Sequence, residues 1–439
     1  MSEPNKASPL DSLISISLVC FLSLYPLVLH PSVYASVMGL VPRESIKALD
    51  FFYEPRAWFL FWSCSFLLVL WCLRFFIKGT WGHEDKGVDL FLVFFLLTAL
   101  VSTLLSLEPL TIFGTERRRE GFLTILSYIS LFLLAENFLA GERWRKLALY
   151  AVLGSGFLVA LYGVLQFASL EFLPRDFIRQ DWLGPFSTIG NPIFLGSYLL
   201  LLVPLPFYFL KESSRAGKVF LLLLSLFFTA SLVLTGSRGA WLGLAALLFF
   251  FLFTEKNRRL LLTATSLMVM VLIVLLFLAG LGGVSLWERL RSSFSLVPEN
   301  TLVQRLYIWS RALPTILERP IFGWGPDSFG VAFPQNADEE SLRLFNGYVF
   351  VDKAHCDLIQ VAVTLGIVGL IAYLAFLIRL FGLIYPRRHS DPLLPYALPA
   401  LFGYLVSLQL SFSVVSVAPV FWALAGISLG GIKRNVAQT

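Results

Sequence analysis

Long apolar runs that almost lack charge, of which 57–77 and 356–385 are the clearest, constrain the fold of this chain most. Each run contains about 20 residues or more, the length that a helix needs to cross the hydrocarbon core of a membrane. The whole sequence is 57% apolar and 14% charged, whereas about a quarter of the residues of a soluble protein are charged. A water-soluble fold is therefore excluded, and we predict an all-α, polytopic integral membrane protein.

Twelve apolar runs predict about 12 transmembrane helices in a single domain, 1–439. The predicted spans are 12–30, 57–77, 88–106, 121–139, 147–168, 192–210, 219–235, 240–254, 260–280, 356–385, 393–410 and 416–431. Residues 281–355 form one large loop outside the membrane. Prolines within spans, such as Pro204 and Pro399, predict kinks because proline lacks a backbone donor. The first span is expected to be an uncleaved anchor.

The distribution of lysine and arginine predicts the orientation in the membrane. Short cytoplasmic loops are enriched in both residues, and this rule places both chain termini in the cytoplasm. The net charge of +6 then reflects topology rather than nucleic-acid binding. Only two lysines, Lys47 and Lys353, fall on the predicted outer side, where the other cations are arginines. The four cysteines show no metal-binding or disulfide spacing.

Two outer arginines lie where an idle charge would be costly. Arg238 stands in a very short connection, next to Gly239 and close behind Gly236, and Arg305 falls on the apolar side of an amphipathic helix predicted for 301–317. A charge near the bilayer is costly unless it is paired or functional, and a guanidinium group matches phosphate or carboxylate oxygens. We therefore predict an anionic ligand of the outer leaflet. The alternative is that each arginine pairs with a nearby acid or a lipid headgroup.

Three further outer segments contain candidate polar groups. The segment 114–121 has three adjacent arginines, of which one or two are expected to face a ligand rather than water. The alternative is a solvated turn that binds lipid headgroups. Asn191 precedes Pro192 and is favoured as a helix N-cap, although such a helix start also suits an anion. The segment 319–329 is a rigid, aromatic turn, and it is interpreted either as a sugar-stacking surface or as packing within the loop.

A histidine ends the large loop. His355 immediately precedes the tenth predicted span, and His30 is the only other histidine that borders the outer face. The ordinary pKa of a histidine, near neutrality, makes His355 suitable as a proton acceptor. The alternative is a polar residue that only marks the membrane boundary.

Together these segments resemble the O-antigen ligase and O-antigen polymerase superfamily of bacterial membrane glycosyltransferases. The resemblance covers about 90–380 and rests on the order of its short motifs. The motifs are Gly-Thr-x-x-Arg-x-Glu-Gly (114–121), Thr-x-Gly-Asn-Pro (188–192), Ser-Arg-Gly-Ala-Trp-Leu (237–242), Arg-x-x-x-Trp (305–309), Pro-x-x-Gly-x-Gly (320–325), Ala-His (354–355) and Gly-Ile-x-Gly-Leu (366–370).

The resemblance implies a GT-C-like fold with a large periplasmic loop and a site facing the periplasm of the bacterial inner membrane. It implies transfer of a glycan from undecaprenyl diphosphate to an acceptor hydroxyl, with inversion and without a metal or other cofactor. The motif positions assign His355 as the catalytic base and Arg238, Arg305 and Arg118 as ligands of the donor diphosphate. Supporting residues would be Asn191, Trp309, Trp324 and Asp327. Cys356 departs from the family, which often has Asn after the histidine.

Three readings of the acceptor and one other class of protein remain open. An O-antigen ligase would use lipid A-core, which we favour, and a polymerase would extend a carrier-linked chain; related enzymes use a protein. A peptidoglycan polymerase of the cell-shape type also remains open as another enzyme, because it would share the donor chemistry, although the late loop with His355 fits it poorly. A lipid-linked oligosaccharide flippase has a similar number of helices, but transport sites lie near mid-membrane and use buried ionisable groups. Here the charges collect at one surface, which favours chemistry at the interface.

Overall fold

The computed structural model is all-helical throughout the part of the chain that it describes. The described residues are 8–38, 40, 50–81, 89–108, 111–116, 118–171, 184–256, 266, 301–335 and 338–438. The helices are α1 (Pro9–Leu24), α2 (Pro31–Val37), α3 (Tyr53–Lys78), α4 (Asp89–Leu105), α5 (Phe122–Phe138), α6 (Glu142–Phe167), α7 (Pro192–Leu202), α8 (Arg215–Leu234), α9 (Arg238–Thr254), α10 (Thr301–Glu318), α11 (Phe329–Ala332), α12 (Glu339–Phe345), α13 (Asp357–Ile384), α14 (Leu394–Ser407) and α15 (Ala418–Gln438).

The prediction of a polytopic, all-helical membrane protein is confirmed. Among the described residues, six helices are long and apolar enough to cross a membrane, and five shorter apolar helices accompany them. These eleven correspond to eleven of the twelve predicted spans. The ninth, 260–280, lies outside the described residues except for residue 266, and so do residues 281–300 of the large loop. The α-helix is interrupted at Pro204, where a kink was predicted, because α7 ends at Leu202 and a 3-10 helix follows at Leu205–Phe209.

Contacts between sequence-distant residues sort the helix ends into two groups. At one end, which we call the terminal end, Asp11 near the start of α1 pairs with Arg74 near the end of α3, and Arg145 pairs with Asp391. The other end, which we call the loop end, contains the described residues 114–116, 118–121, 184–191, 235–237, 301–335, 338–356 and 411–417. The described apolar helices alternate in direction between these two ends from α1 to α9 and again from α13 to α15, as the sequence predicts for consecutive membrane crossings.

Small residues allow pairs of these helices to pack closely. A Cβ atom at Gly243 of α9 would lie 2.6 Å from the carbonyl oxygen of Gly403 in α14. One at Gly426 of α15 would lie 2.2 Å from that of Phe132 in α5. Close approach at small residues is a general device of membrane helix association. Gly239 belongs to the same packing, because its Cβ would lie 3.2 Å from the carbonyl oxygen of Ser407.

The longest helix, α13, is broken at Gly366, where the backbone has φ 71° and ψ −175°. The loop at 320–325 lies against this break and satisfies the released backbone groups. Ile367 N donates to the Pro320 carbonyl at 2.8 Å, and Gly325 N donates to that of Thr364 at 2.8 Å. The two glycine-containing motifs at 320–325 and 366–370 are therefore the two halves of one contact.

Candidate functional site

His355 is presented by a short segment that is anchored at consecutive residues. Asp352 accepts a hydrogen bond from Arg118, and Lys353 donates to two carboxylates. The backbone N–H of Ala354 donates a hydrogen bond to a side chain, and its carbonyl oxygen accepts one from another side chain. His355 itself has φ 51°, in the left-handed region that side chains other than glycine rarely adopt. Non-glycine residues in that region cluster at functional sites. The backbone is thus held in an unfavourable conformation by its neighbours at the residue predicted to be the base.

A buried ion cluster centred on Lys353 joins three loops. The Lys353 side chain is 2% exposed, and its Nζ donates to Asp327 at 2.7 Å and to Glu120 at 2.9 Å. Asp327 also accepts from Thr115 N at 2.6 Å. Burial lowers the pKa of Lys353, but Asp327 and Glu120 raise it above its ordinary value overall, so the ammonium stays charged. Asp327 therefore supports the site by positioning the segment before His355.

Glu120 is an acid of this cluster whose pKa is strongly shifted. Burial raises the pKa of Glu120 to about 7, although Lys353 opposes the rise. Its Oε1 accepts from Val415 N at 3.3 Å. The cluster therefore also reaches the connection between α14 and α15.

Arg118 is already engaged by the protein. Its Nε donates to Asp352 at 2.8 Å, and its guanidinium group lies over the rings of Tyr53 and Phe412 at 5.6 and 5.3 Å. Burial opposes the charged form of Arg118, but Asp352 raises its pKa further, and Arg118 in turn lowers the pKa of Asp352 against the effect of burial. A diphosphate would have to compete with Asp352 for this arginine.

Arg238 and Arg305 are close neighbours of like charge. Arg238 begins α9 behind the Ser237 N-cap, and its Nη1 donates to Thr301 Oγ1 at 3.0 Å. Thr301 lies one helical turn before Arg305, on the same side of α10. Burial and then the charge of Arg238 lower the pKa of Arg305 to about 10. Among the described residues, no carboxylate forms an ion pair with Arg305.

The same positive region affects His355. Burial and then Arg305 lower the pKa of His355 to about 4, while Asp352 opposes this effect. The imidazole is therefore neutral at pH 7 and carries a lone pair that can accept a proton. The centroid of the His355 ring lies 5.4 Å from that of the Phe412 ring. The three side chains His355, Arg305 and Arg238 lie at one end of the molecule, as their predicted roles require.

The supporting residues differ in what they contact. Asn191 is the predicted N-cap of α7, because its Oδ1 accepts from Ile193 N at 2.8 Å. Trp309 donates from Nε1 to the Ala354 carbonyl at 2.9 Å and so helps to hold the residue before His355. Trp324 donates to the Thr315 carbonyl and packs under Arg319. Trp324 is therefore part of the loop packing, one of its two predicted interpretations.

A cavity of about 850 Å³ adjoins His355 at the loop end. Its described lining includes Asn191, Arg118, Asp352 and the segment 348–351. This volume is within the range of small-molecule sites. Within the described ranges, no three His, Cys, Asp or Glu side chains are grouped as metal ligands.

Sequence reasoning did not find the partners that hold these groups. Asp352, Glu120 and Phe412 are central to the arrangement, and Phe412 contacts Arg118, Lys353 and His355 together. One available signal was Lys353, one of only two lysines on the predicted outer side, because a lone ammonium among arginines suggests a dedicated partner. The pairing itself joins residues more than 200 positions apart.

In a comparison with protein families, residues 220–374 match the family model described as O-antigen ligase. This match confirms the resemblance to the O-antigen ligase and polymerase superfamily, and it includes Arg238, Arg305 and His355. No curated protein matches the chain at the threshold of the comparison.

Proposed function

We propose that this protein, a multi-pass membrane protein with an O-antigen ligase domain, transfers a glycan from undecaprenyl diphosphate to a hydroxyl of lipid A-core. We place the reaction at the periplasmic face of a bacterial inner membrane, within a single domain, 1–439. The family match and the apolar helices support a membrane enzyme of ligase or polymerase type. The diphosphate of the donor is inferred from the side chains at the loop end, and the undecaprenyl carrier, the lipid A-core acceptor and the periplasmic placement are inferred from the family resemblance.

The observation that carries the proposal is the neighbouring pair Arg238 and Arg305. The charge of Arg238 makes the cationic form of Arg305 less favourable, and two guanidinium groups in one region favour a ligand with more than one negative charge. Arg305 lacks a carboxylate partner among the described residues, so a bound anion would relieve its repulsion with Arg238. A diphosphate has the charge and the oxygen geometry that this pair would bind. Guanidinium groups in this position would also stabilise the negative charge that develops on the departing diphosphate.

His355 completes the proposed reaction as the general base. The acceptor oxygen forms a bond to the anomeric carbon while the bond from that carbon to the diphosphate oxygen breaks. The acceptor proton passes to the imidazole, and the bond electrons leave with the diphosphate. A single displacement inverts the anomeric configuration. Because diphosphate is a good leaving group, the reaction needs no general acid.

Donor binding would also prepare this base. The positive charge of Arg305 contributes to the low pKa of His355. A diphosphate between the arginines cancels that contribution and raises the pKa of the imidazole. The base therefore gains strength only when the donor is in place.

The positions of the buried charges oppose the flippase alternative. Arg56 lies in the first turn of α3, and Arg145 lies in the first turn of α6. Glu136 lies near the end of α5. In the described helices these charges are near the ends rather than at mid-membrane, where transport sites are expected.

Alanine substitutions test the reaction. We expect Arg305→Ala, Arg238→Ala and His355→Ala each to lower glycan transfer in isolated membranes at least ~100-fold, the usual scale for lost transition-state contacts. Arg311→Ala is the matched control, because Arg311 is on the same helix but exposed and paired with Asp338. All variants should elute as folded protein in size-exclusion chromatography. Normal transfer by any two of the three variants would refute the mechanism.

Complementation tests the acceptor. In a strain that lacks its O-antigen ligase, the gene should restore lipopolysaccharide with long glycan chains on lipid A-core. Restoration only in a strain that lacks the polymerase would assign the polymerase reaction instead.

A further inference from the structure

The cavity beside His355 differs in charge from the arginine pair. Neither Arg238 nor Arg305 is among its described lining residues, whereas His355 is. The described lining contains four carboxylates and two guanidinium groups. These are Asp50, Glu54, Glu116, Asp352, Arg118 and Arg119. The described wall of the cavity is thus net acidic, and the two arginines Arg238 and Arg305 are not part of it.

Both cations of the cavity wall are engaged by acids of the same wall. Arg118 donates to Asp352 at 2.8 Å, and Arg119 Nη2 donates to Glu54 at 2.6 Å. Asp50 accepts from three backbone N–H groups at the start of α3. A phosphate or carboxylate entering the cavity would have to displace these acids and would be repelled by them.

The same wall suits a hydroxyl-rich, uncharged ligand. Carboxylate oxygens accept hydrogen bonds from hydroxyl groups, and each retains free acceptor positions beyond its ion pair. Asn191, His355 and a set of apolar or aromatic side chains, among them Tyr53, Tyr348 and Val349, supply the rest of the described wall. Polar groups that fix the orientation of a ligand beside apolar and aromatic surface that packs against it are the parts of a ligand site.

We propose that this cavity binds an uncharged sugar unit next to His355, so that the site separates its substrates by charge. The diphosphate is held at Arg238 and Arg305, and the sugar at the acidic wall. This inference rests on the proposed function and adds the class of sugar. The sugar comes either from the acceptor or from the donor glycan, and the two sources have the same chemistry.

Blocking the cavity tests the proposal. Val349 is 45% exposed and lines the cavity, whereas Val331 is 58% exposed and does not. Val349→Trp should raise the KM for one sugar-bearing substrate at least tenfold, and Val331→Trp is the matched control with an unchanged KM. A rise in the KM for lipid A-core would show that the sugar unit in the cavity belongs to the acceptor. A rise in the KM for the lipid-linked glycan would show that it belongs to the donor. Val349→Phe is a smaller block if the Trp variant does not fold.

Undecaprenyl diphosphate without a glycan separates the two proposals. Its inhibition constant should be unchanged in Val349→Trp and raised at least tenfold in Arg305→Ala, measured from the residual transfer or by direct binding. Unchanged KM values in both Val349 variants overturn the cavity inference alone. An unchanged constant in Arg305→Ala overturns the proposed function.

The charge of the sugar is tested with paired substrates. For the substrate that the block identifies, versions ending in a neutral hexose and in a hexuronic acid are compared. The neutral version should have a KM at least tenfold lower. Equal values would overturn the assignment of an uncharged sugar.

Discussion

At the scale of single residues, the central feature is a histidine whose basicity depends on its surroundings. In the free protein the pKa of His355 is lowered to about 4, by burial and then by Arg305. In the proposed reaction the neutral form accepts a proton, so we expect activity to be lost only when the pH falls through this pKa. A bound diphosphate would move the pKa upward by offsetting Arg305.

This coupling predicts two different acid limbs in the pH profile of transfer. The ratio kcat/KM reports the free protein and should decline only as the pH falls towards about 4. The constant kcat reports the substrate complex and should decline at a higher pH. Measurement of both constants from pH 4 to 8 in detergent checks the prediction. Coincident limbs would show that the donor does not change the environment of His355.

The ion pair of Arg118 and Asp352 gives a second prediction at this scale. A double-mutant cycle with Arg118→Ala and Asp352→Ala should yield a coupling free energy of about 1–3 kcal/mol, because both side chains are largely buried. The exposed pair Arg311 and Asp338 is the control, with an expected coupling below about 1 kcal/mol. Unfolding midpoints in detergent supply both values. Equal couplings would mean that Arg118 is not held by this acid.

At the scale of elements, the break in α13 joins a membrane helix to the large loop. Gly366 has a conformation that is open almost only to glycine, and its Cβ would lie 2.2 Å from the Ile321 carbonyl oxygen. Gly382 is in the same helix with no atom near its Cβ position. The two positions therefore form a matched pair for one substitution.

Alanine at these glycines should have opposite effects. Gly366→Ala should lower the free energy of unfolding by about 2 kcal/mol or more, from backbone strain and the clash with the loop. Gly382→Ala should be neutral or stabilise by up to about 1 kcal/mol, since alanine favours the helix. Thermal unfolding followed by circular dichroism measures both. A Gly366→Ala protein as stable as the parent would show that the loop does not lie in the break.

The helices were predictable from the sequence, whereas the contacts between distant residues at the candidate site were not. Apolar length alone places a helix such as α13, because the bilayer imposes the same requirement on every crossing. The N-cap role of Asn191 was also predictable, since it depends on adjacent residues. The contact between Gly323 and Gly366, and the ion pair of Arg118, join distant residues by tertiary packing. Local patterns contain no information about such pairings.

At the scale of the whole molecule, the proposed chemistry requires the loop end to face the periplasm. In a chain whose native cysteines are replaced by alanine, Arg343→Cys at the loop end should react with a membrane-impermeant maleimide in cells with a permeabilised outer membrane. Lys211→Cys at the terminal end should react only after the inner membrane is disrupted. Both positions are exposed. The reverse pattern would place the site in the cytoplasm and contradict the proposed donor.

The connection between α14 and α15 has a consequence for biosynthesis. Phe412 contacts His355 and Arg118, and Val415 N donates to Glu120. A chain emerging from the ribosome delivers its N-terminal part first, so all three partners are made before this connection. A growing polypeptide therefore has Arg118, Glu120 and His355 in place while their contacts with Phe412 and Val415 are still missing. The candidate site is thus assembled only after the connection between α14 and α15 has been made, so a nascent chain that ends before this connection contains an incomplete site.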